Sequence, residues 1–565
     1  MHRLFTEHIV RKVQSLNGIW NFAIDPEDVG EGQNWQEKLP KAEQVTVPSV
    51  WNSQLGLLEY EGAAWYEKEF YTQGGCLRLV FDAVMTEADV WLDGKKLGYH
   101  YGGFTQFSFI VPDVGPGWHR LTVRADIRFN ELSIPQEKTD WFHYGGITRS
   151  VSAETLQGIC VLYNRMEYSL SQDLSRADAQ FVLELYNAEQ QTCTATVAVS
   201  LGDRVVYTKP HTLAPGETQT ITTPAFTVED PRLWDVKDPQ LYTICCSTDT
   251  DDLYDRTGFR LVEVRDGQIY LNGKQLFLKG VNRHEDHPEW GAAFPQGLMK
   301  RDLDIIKDLG CNAVRGSHYP HAKVFVDMLE EAGITFWSEI PMWGGGFAGA
   351  ALTPALQQRG LQMHREMIRQ YYNHPCILIW GMHNEIGTDT DECYEMTALF
   401  YRFLKDNGGN RLVTYAIYRY PPCKCLELCD IICLNRYAGW YWGKRDGWQE
   451  DEVDAFREHR HALGLDDKPV IYSEFGGAAI YGHHTFDDLR GTEEYQAEML
   501  KQCMTVFRDD PMVAGMYVWQ FCDTRTCRKM GLDRARTYNN KGILNEYRKP
   551  KMAYYTVRDI YRGIK

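Results

Sequence analysis

Cys376-Ile377-Leu378-Ile379-Trp380, followed by Gly381-Met382-His383-Asn384-Glu385, is the stretch of sequence that decides the fold. A short apolar run of this kind predicts a buried strand. The run ends in polar residues, the last of which is a carboxylate. In a barrel of parallel strands, residues just past the carboxyl ends of the strands lie at the open mouth, where such barrels have their active sites. The stretch therefore predicts both a barrel strand and a candidate catalytic residue.

Similar apolar runs alternate with amphipathic helical stretches on both sides of this one. One such stretch, at 298–309, lies between the first two runs. Eight strands alternating with helices over about 300 residues predict a (β/α)8 TIM barrel, which we place at residues 263–565. The predicted barrel strands are 276–281, 311–314, 334–337, 376–380, 412–415, 431–434, 469–472 and 515–519.

The chain before residue 263 has short strands and no convincing helical period. Asp93-Gly94 is a strong hairpin signal between two of these strands. We predict a β-sandwich at residues 1–155 and an immunoglobulin-like β-sandwich at residues 156–262. Three domains also fit the length, because 565 residues are too many for one core.

The formal net charge of −17 argues against nucleic acid or an anionic membrane as a partner. An anionic substrate would need a local basic site. We see no signal peptide and no run of 18 apolar residues, so we expect a cytoplasmic protein without a membrane span. The 15 cysteines are an odd number, which favours free thiols in a reducing compartment.

Four cysteines lie close together in the sequence, at positions Cys423, Cys425, Cys429 and Cys433. A metal site is one interpretation. However, Cys433 lies within an apolar run, and the spacing is not that of paired CxxC motifs. Buried thiols are the favoured interpretation, and we expect neither a metal nor an organic cofactor.

A second carboxylate follows the seventh predicted strand, in Tyr472-Ser473-Glu474-Phe475. Glu385 and Glu474 would thus face the same barrel mouth. Two carboxylates in this arrangement can flank a glycosidic bond. An isolated Glu at a strand end would be better explained by a salt bridge, but two of them, beside Asn384 and Trp519, favour catalysis.

The chain resembles glycoside hydrolase family two over nearly its whole length. The matching segments are 280–285 (GVNRHE), 315–320 (RGSHYP), 373–375 (NHP), 384–385 (NE) and 473–476 (SEFG). The resemblance implies that the first sandwich is a jelly roll. It also implies a retaining hydrolase in which Glu385 is the acid/base and Glu474 is the nucleophile.

The resemblance narrows to the β-glucuronidase subfamily, of the type with a short active-site loop. The motifs that carry it are 539–542 (NNKG), 435–441 (NRYAGWY) and 141–147 (WFHYGGI), which follows Asp140. The segment from 339 to 373 is short and contains Gly344-Gly345-Gly346, so we expect an accessible site. The resemblance implies that the following residues contact substrate: Asp140, His318, Asn384, Asn435, Tyr437, Tyr441, Trp519, Arg536, Asn539 and Lys541.

Physical reasoning supports part of this set independently. A glucuronide has a carboxylate at C6, and its recognition needs a cation and hydrogen-bond donors, which Lys541, Asn539 and Tyr441 would supply. The subfamily pattern also has an Arg four residues before the Asn. That position is Ala535 here, with Arg534 and Arg536 on either side, and the sequence leaves the choice between them open.

We therefore predict an exo-acting hydrolase that releases glucuronate from a small-molecule glucuronide or an oligosaccharide. A β-galactosidase would leave the pair Asn539 and Lys541 without a purpose. A β-galacturonidase would share the pair and differ only in the configuration at C4, which the sequence does not resolve. A non-catalytic carbohydrate-binding protein is disfavoured because both carboxylates are present. The resemblance further implies a homo-oligomer, with a tetramer as the favoured form.

Overall fold

The computed structural model of the protein describes residues 3–136, 140–527 and 534–564. Its first domain is a β-sandwich of two antiparallel sheets, with strand orders β1-β10-β5-β8 and β3-β2-β4-β9-β6-β7. One hydrophobic core takes side chains from both sheets. The strands are β1 (Lys12–Ser15), β2 (Gly18–Asp25), β3 (Glu43–Val47), β4 (Ala63–Thr72), β5 (Gly75–Phe81), β6 (Glu87–Leu92), β7 (Lys95–Tyr101), β8 (Phe107–Val114), β9 (Gly117–Asp126) and β10 (Val151–Leu156).

The predicted hairpin at Asp93-Gly94 is confirmed. Strand β6 ends at Leu92 and β7 begins at Lys95. The two turn residues have φ values of +50° and +78°. Positive φ at both central positions is the requirement of the tight turn that matches the twist of a hairpin, and Asp-Gly meets it at low cost.

The second domain is also a sandwich, as predicted, with an immunoglobulin-like arrangement of short antiparallel strands. One sheet has the order β11-β12-β15, with β16 also paired to β12, and the other has the order β14-β13-β17-β18. The strands are β11 (Ile159–Leu170), β12 (Arg176–Asn187), β13 (Cys193–Leu201), β14 (Arg204–Leu213), β15 (Thr218–Thr222), β16 (Phe226–Glu229), β17 (Tyr242–Ser247) and β18 (Asp252–Thr257).

A small sheet, β19 (Val262–Arg265), β20 (Gln268–Leu271) and β21 (Lys274–Gln275), precedes a closed barrel of eight parallel strands. Each barrel strand overlaps a predicted one, so the TIM barrel is confirmed. The barrel strands are β22 (Leu278–Arg283), β23 (Ala313–Gly316), β24 (Thr335–Glu339), β25 (Ile377–Asn384), β26 (Leu412–Ile417), β27 (Ile432–Asn435), β28 (Val470–Phe475) and β29 (Val513–Val518). A final pair is β30 (Thr524–Arg525) and β31 (Tyr538–Asn539).

Helices cover the outside of the barrel. They are α1 (Gln296–Leu309), α2 (Lys323–Glu331), α3 (Pro354–Tyr371), α4 (Asp391–Asn407), α5 (Ala455–Ala462), α6 (Glu493–Asp509) and α7 (Met552–Gly563). Short 3₁₀ turns occur at Trp51–Ser53, Gly349–Ala351 and Ala535–Thr537, and a π-helical segment at Trp448–Asp454 precedes α5. Within the described ranges, no helix combines the length and the apolar character that crossing a membrane requires.

The first sandwich packs against the carboxyl-terminal side of the barrel. Tyr319, from the segment after β23, belongs to the sandwich core and stacks on Phe104, with ring centroids 4.2 Å apart. Arg149 donates to the carboxylate of Glu285, just past the end of β22, over 2.9 Å. These contacts hold the loop after Asp140 beside the barrel mouth, so the first domain can contribute residues to a site there.

Candidate active site

The two predicted carboxylates lie at the carboxyl ends of two barrel strands. Glu474 is the penultimate residue of β28, and Glu385 directly follows the last residue of β25. The backbone of Glu385 has a φ of +54°, and its N–H donates to the carbonyl of Ala416 on β26 over 2.9 Å. The chain therefore turns at Glu385, while the backbone of this residue stays hydrogen-bonded to strand β26.

Hydrogen bonds fix both carboxylate oxygens of Glu474, which is 4% exposed. Arg315 Nη1 donates to its Oε1 over 2.8 Å, and the hydroxyl of Tyr437 donates to its Oε2 over 2.7 Å. Burial raises the pKa of Glu474, while Arg315 and Tyr437 act to lower it. Two donors that favour the ionised form suit a carboxylate that must act as a nucleophile.

Glu385 has a weaker set of partners. Its Oε1 accepts from the amide of Asn435 over 2.8 Å. Burial first, and the charge of Glu474 second, raise the pKa of Glu385 to about 8. When two neighbouring carboxyl groups share one proton, it resides on the less stabilised anion. Glu385 is thus the protonated member of the pair at neutral pH.

Arg315, at the end of β23, is fully buried and bonds to several side chains of the mouth. Besides Glu474, it donates to both carboxylate oxygens of Glu339 over 2.9 and 3.0 Å and to Asn384 Oδ1 over 2.7 Å. It also reaches Asn282 Oδ1 over 3.2 Å. A planar guanidinium holds such partners in fixed directions, so Arg315 aligns Glu474 with Asn384.

His318 and Trp519 form one wall of the site. Their rings stack with centroids 5.2 Å apart. His318 Nδ1 lies 2.7 Å from Glu339 Oε1, and its Nε2 lies 4.0 Å from Glu474 Oε1. Burial and the nearby Arg315 lower the pKa of His318 well below its usual range. A neutral ring that donates from Nδ1 to Glu339 offers Nε2 to a ligand as an acceptor.

Asn384 and Asn435 lie between the two carboxylates. Asn435 Nδ2 donates to Asn384 Oδ1 over 3.2 Å as well as to Glu385. Asn384 is 1% exposed, and within the described ranges its Nδ2 has no hydrogen-bond partner. Because an unpaired buried donor is costly, this amide is well suited to a ligand hydroxyl.

A second cluster joins the first sandwich to the segment after β29. Asp140 Oδ2 accepts from Asn539 Nδ2 over 2.9 Å and from Arg534 Nη2 over 2.8 Å. Arg536 is not part of this cluster, although it was among the predicted site residues. Its Nη1 donates to Glu546 over 2.7 Å. The backbone at Arg536 has a φ of +60°, and Arg534 alone of the two arginines reaches the predicted site.

Lys541 lies next to this cluster. Its Nζ donates to the hydroxyl of Tyr441 over 2.6 Å and lies 4.7 Å from the centre of that ring. It also lies 5.5 Å from the ring centre of Tyr437, whose hydroxyl bonds to Glu474. Tyr437 therefore connects Glu474 with the predicted cation. The structure brings together Glu385, Glu474, His318, Asn384, Asn435, Tyr437 and Trp519 in one group, and Asp140, Asn539, Lys541 and Tyr441 beside it.

Among the residues that the structure describes, one group outside the mouth has ligand atoms close enough for a metal ion: Asp327, Glu330 and His374. Arg3 donates to both oxygens of Asp327 over 2.9 to 3.1 Å, and Arg256 donates to Glu330 over 2.9 Å. These arginines already supply the positive charge that a metal would bring. The group is best described as a buried ion-pair network.

Family models match almost the whole chain. Residues 262–565 match the TIM barrel domain of glycosyl hydrolases family 2, residues 13–156 match its sugar binding domain, and residues 164–260 match a further family 2 domain. The chain belongs to glycosyl hydrolase family 2.

Similar members of this family include enzymes named for uronic acids. A β-glucuronidase of Paenibacillus borealis is 27% identical, over 97% of both chains. The solved structure of a family 2 β-galacturonidase of Eisenbergiella tayi is 33% identical, with a TM-score of 0.93, over 100% of this chain and 99% of that one. A β-glucuronidase structure of Ruminococcus gnavus is 28% identical, with a TM-score of 0.86, over 99% of both chains.

Sequence reasoning left three charged residues out of the predicted site: Arg315, Glu339 and Arg534, which it had named only as an alternative to Arg536. A signal for two of them was available. Arg315 and Glu339 lie at or next to the carboxyl ends of predicted strands, which is the same position that identified Glu385 and Glu474. Reading every strand end in this way would have found both.

Proposed function

We propose that this family 2 chain is a retaining, exo-acting hydrolase of β-D-hexuronides, with β-D-glucuronides as its first substrate class. The natural substrate would be a small-molecule glucuronide or the end of an oligosaccharide. Support comes from the paired carboxylates, the relatives named for glucuronides and the cation beside the nucleophile. In this proposal Glu474 is the nucleophile and Glu385 is the acid/base.

The reaction has two displacements at the anomeric carbon. In the first, Glu474 forms a bond to C1 while the glycosidic C1–O bond breaks, and Glu385 transfers its proton to the departing oxygen. In the second, Glu385 takes a proton from water as the water oxygen attacks C1 and the bond to Glu474 breaks. The configuration at C1 is retained, and Glu385 ends protonated as it began.

The remaining groups would hold the sugar. In this proposal Asn384 Nδ2, which has no partner among the described residues, donates to the hydroxyl at C2, and Nε2 of His318 accepts from an outer hydroxyl. Asp140, with Arg534 and Asn539, would bind hydroxyls at the far end of the ring. Trp519 would support the ring itself through its apolar face.

The uronide assignment rests on the surroundings of Lys541. The residue is 4% exposed, and among the described residues its Nζ has no carboxylate within 4 Å, only the neutral hydroxyl of Tyr441. A buried cation without an anion is unfavourable. In a chain with a net charge of −17, such a cation beside the active site favours a carboxylate on the ligand.

Lys541→Ala tests this assignment. A charge-assisted hydrogen bond contributes about 1.5–3 kcal/mol, and more is lost when a buried carboxylate is left unpaired. We therefore expect kcat/KM for an aryl β-D-glucuronide to fall roughly 10²-fold or more. The activity on the matching neutral aryl glucoside or galactoside should hardly change, because those sugars have no charge at C6.

Lys279→Ala provides the matched control. Lys279 is near the start of β22, at the opposite end of the barrel, and donates to the carbonyls of Tyr561 and Ile564. Its loss should leave the ratio of the two specificity constants unchanged. An unchanged ratio in Lys541→Ala as well would contradict the uronide assignment, but it would not contradict the assignment as a hydrolase.

Galacturonides are the second candidate substrate class. The observation in their favour is the likeness to the Eisenbergiella tayi β-galacturonidase, with a TM-score of 0.93 compared with 0.86 for the Ruminococcus gnavus β-glucuronidase. The two sugars share the C6 carboxylate and differ at C4. The kcat/KM values for nitrophenyl β-D-glucuronide and nitrophenyl β-D-galacturonide, measured side by side, decide between them.

The protonation state of Glu385 predicts how activity depends on pH. Its pKa is raised to about 8, and the first step needs its proton. The plot of kcat/KM against pH, which reports the free enzyme, should therefore fall as pH rises through about 8. Glu385→Gln, assayed with an activated aryl substrate, should lose this decline. A decline that persists in the variant would assign it to another group.

We further propose a cytoplasmic homo-oligomer, with a tetramer as the favoured form. The 15 free cysteines, most of them buried, support a reducing compartment. Light scattering coupled to size-exclusion chromatography measures the oligomer directly. A monomer at micromolar concentration would reject this part of the proposal.

A further inference from the structure

A buried ion pair lies beneath the segment that carries Lys541. Lys551 Nζ and Asp523 Oδ1 are 2.7 Å apart, and both side chains are fully buried. The mechanism proposed above uses neither residue, and neither is placed to touch a sugar. A buried ion pair is a weak source of stability, since apolar residues of similar size can often replace it. Stability alone therefore does not explain why these two charges are buried here.

The three protons of Lys551 have three acceptors, two of which belong to backbone around the site. One is Asp523 Oδ1, a second is the carbonyl of Asn540 over 3.0 Å, and the third is the carbonyl of Ala479, past β28, over 2.7 Å. Asp523 Oδ1 in turn accepts from the N–H of Gly542 over 3.0 Å. The ion pair thus bonds to the backbone on both sides of Lys541.

The backbone of Lys541 is held from a further direction as well. Its carbonyl accepts from the N–H of Gln520 over 3.1 Å. At Gly542, a Cβ atom would lie 2.1 Å from the backbone nitrogen of Asp523, so only glycine allows the two segments to approach this closely. The Asp523–Lys551 pair therefore holds the residues on either side of Lys541. The carbonyl of Lys541 itself is held by Gln520 and, over 3.3 Å, by the side chain of Gln496.

We propose that Asp523 and Lys551 are positioning residues for uronide specificity. They hold residues 540–542 at the depth where the Lys541 ammonium meets the C6 carboxylate of the substrate. This inference rests on the proposed function, because it gives Lys541 the role of binding that carboxylate. It adds that the selectivity for an acid over a neutral sugar depends on two residues that never contact the sugar.

The test is a double-mutant cycle read out as selectivity. The quantity is the ratio of kcat/KM for nitrophenyl β-D-glucuronide to kcat/KM for nitrophenyl β-D-glucoside. Because a misplacement of about 1 Å can cost roughly 10²-fold, we expect Lys551→Met to lower this ratio at least about tenfold, mainly through a higher KM for the uronide. In a Lys541→Ala background, Lys551→Met should lower the ratio no further.

Two further variants separate positioning from folding. Asp523→Asn keeps the size of the side chain and an acceptor for Gly542, and it should lower the ratio in the same direction. Arg11→Met removes a cation from a comparable buried pair outside the barrel, Arg11 with Asp251 at 2.7 Å. Arg11→Met should lower the melting temperature and leave the ratio unchanged.

The possible failures are distinguishable. If Lys541→Ala alone leaves the ratio unchanged, the proposed function fails. If Lys541→Ala lowers the ratio but Lys551→Met and Asp523→Asn do not, the positioning inference fails and the proposed function stands. Equal losses from Lys551→Met in the wild-type and Lys541→Ala backgrounds would also overturn it. If Lys551→Met does not fold, Asp523→Asn decides by the same cycle.

Discussion

Glu474→Ala is expected to lower kcat on every substrate by roughly 10⁵-fold or more, the scale on which loss of a catalytic nucleophile acts. Without the carboxylate, no covalent intermediate can form. The loss should not depend on the leaving group, because even an activated aryl group needs an attacking atom at C1. The measurement is steady-state turnover of nitrophenyl and alkyl glycosides, with the melting temperature followed in parallel.

Two additions make this experiment specific for a nucleophile. Glu474→Gln keeps the shape of the side chain and an oxygen for Arg315, yet it should be as inactive as the alanine variant. Azide added to Glu474→Ala can enter the vacated space and attack C1 from that side, which would yield the α-glycosyl azide. Substantial turnover in Glu474→Gln, or a β-glycosyl azide from Glu474→Ala, would assign the nucleophile elsewhere.

Glu385→Ala should have an effect that depends strongly on the leaving group. General acid catalysis contributes roughly 10²- to 10⁴-fold, and an alkyl alcohol needs all of it because it leaves poorly as an anion. A nitrophenolate leaves without a proton, so kcat/KM for nitrophenyl glycosides, which reports the first displacement, should fall far less. The measurement is a series of leaving groups of graded acidity, compared between wild type and variant.

With azide, the two alanine variants should give glycosyl azides of opposite anomeric configuration. In Glu385→Ala the covalent intermediate on Glu474 still forms, and azide should attack it from the opposite face to give the β-glycosyl azide. Glu385→Gln is the size-matched control and should show the same dependence on leaving group. Equal losses for nitrophenyl and alkyl substrates in kcat/KM would mean that Glu385 is not the acid.

Local patterns in the sequence were enough for much of the fold. Each of the eight apolar runs became a barrel strand, and helix α1 begins two residues before the predicted stretch at 298–309. Strand ends were less accurate. Strand β25 continues to Asn384, and β28 continues past Glu474. A polar residue normally signals the end of a buried strand, but here Arg315 on β23 donates to both side chains, although β23 is adjacent to neither strand in the barrel.

The sequence alone determined which candidate groups are present and predicted their chemistry: two carboxylates at strand ends, an asparagine before one of them, and a lysine in a motif suited to a uronic acid. Short-range order suffices for this, because a parallel barrel always brings its carboxyl-terminal strand ends to one mouth. The pairing of Glu385 with Glu474 follows from that topology once the strands are identified.

Only the tertiary structure decided which charges act together. Arg534 and Arg536 are two positions apart in the chain, yet one bonds to Asp140 of the first sandwich and the other to Glu546. Lys551 is ten residues after Lys541 in the chain and is paired with Asp523, whereas Lys541 has no carboxylate partner among the described residues. The physical reason is that a charge depends on burial and on neighbours that are distant in sequence. Residue types and spacing predict which groups are present, and three-dimensional packing decides which of them are already neutralised and which remain for a substrate.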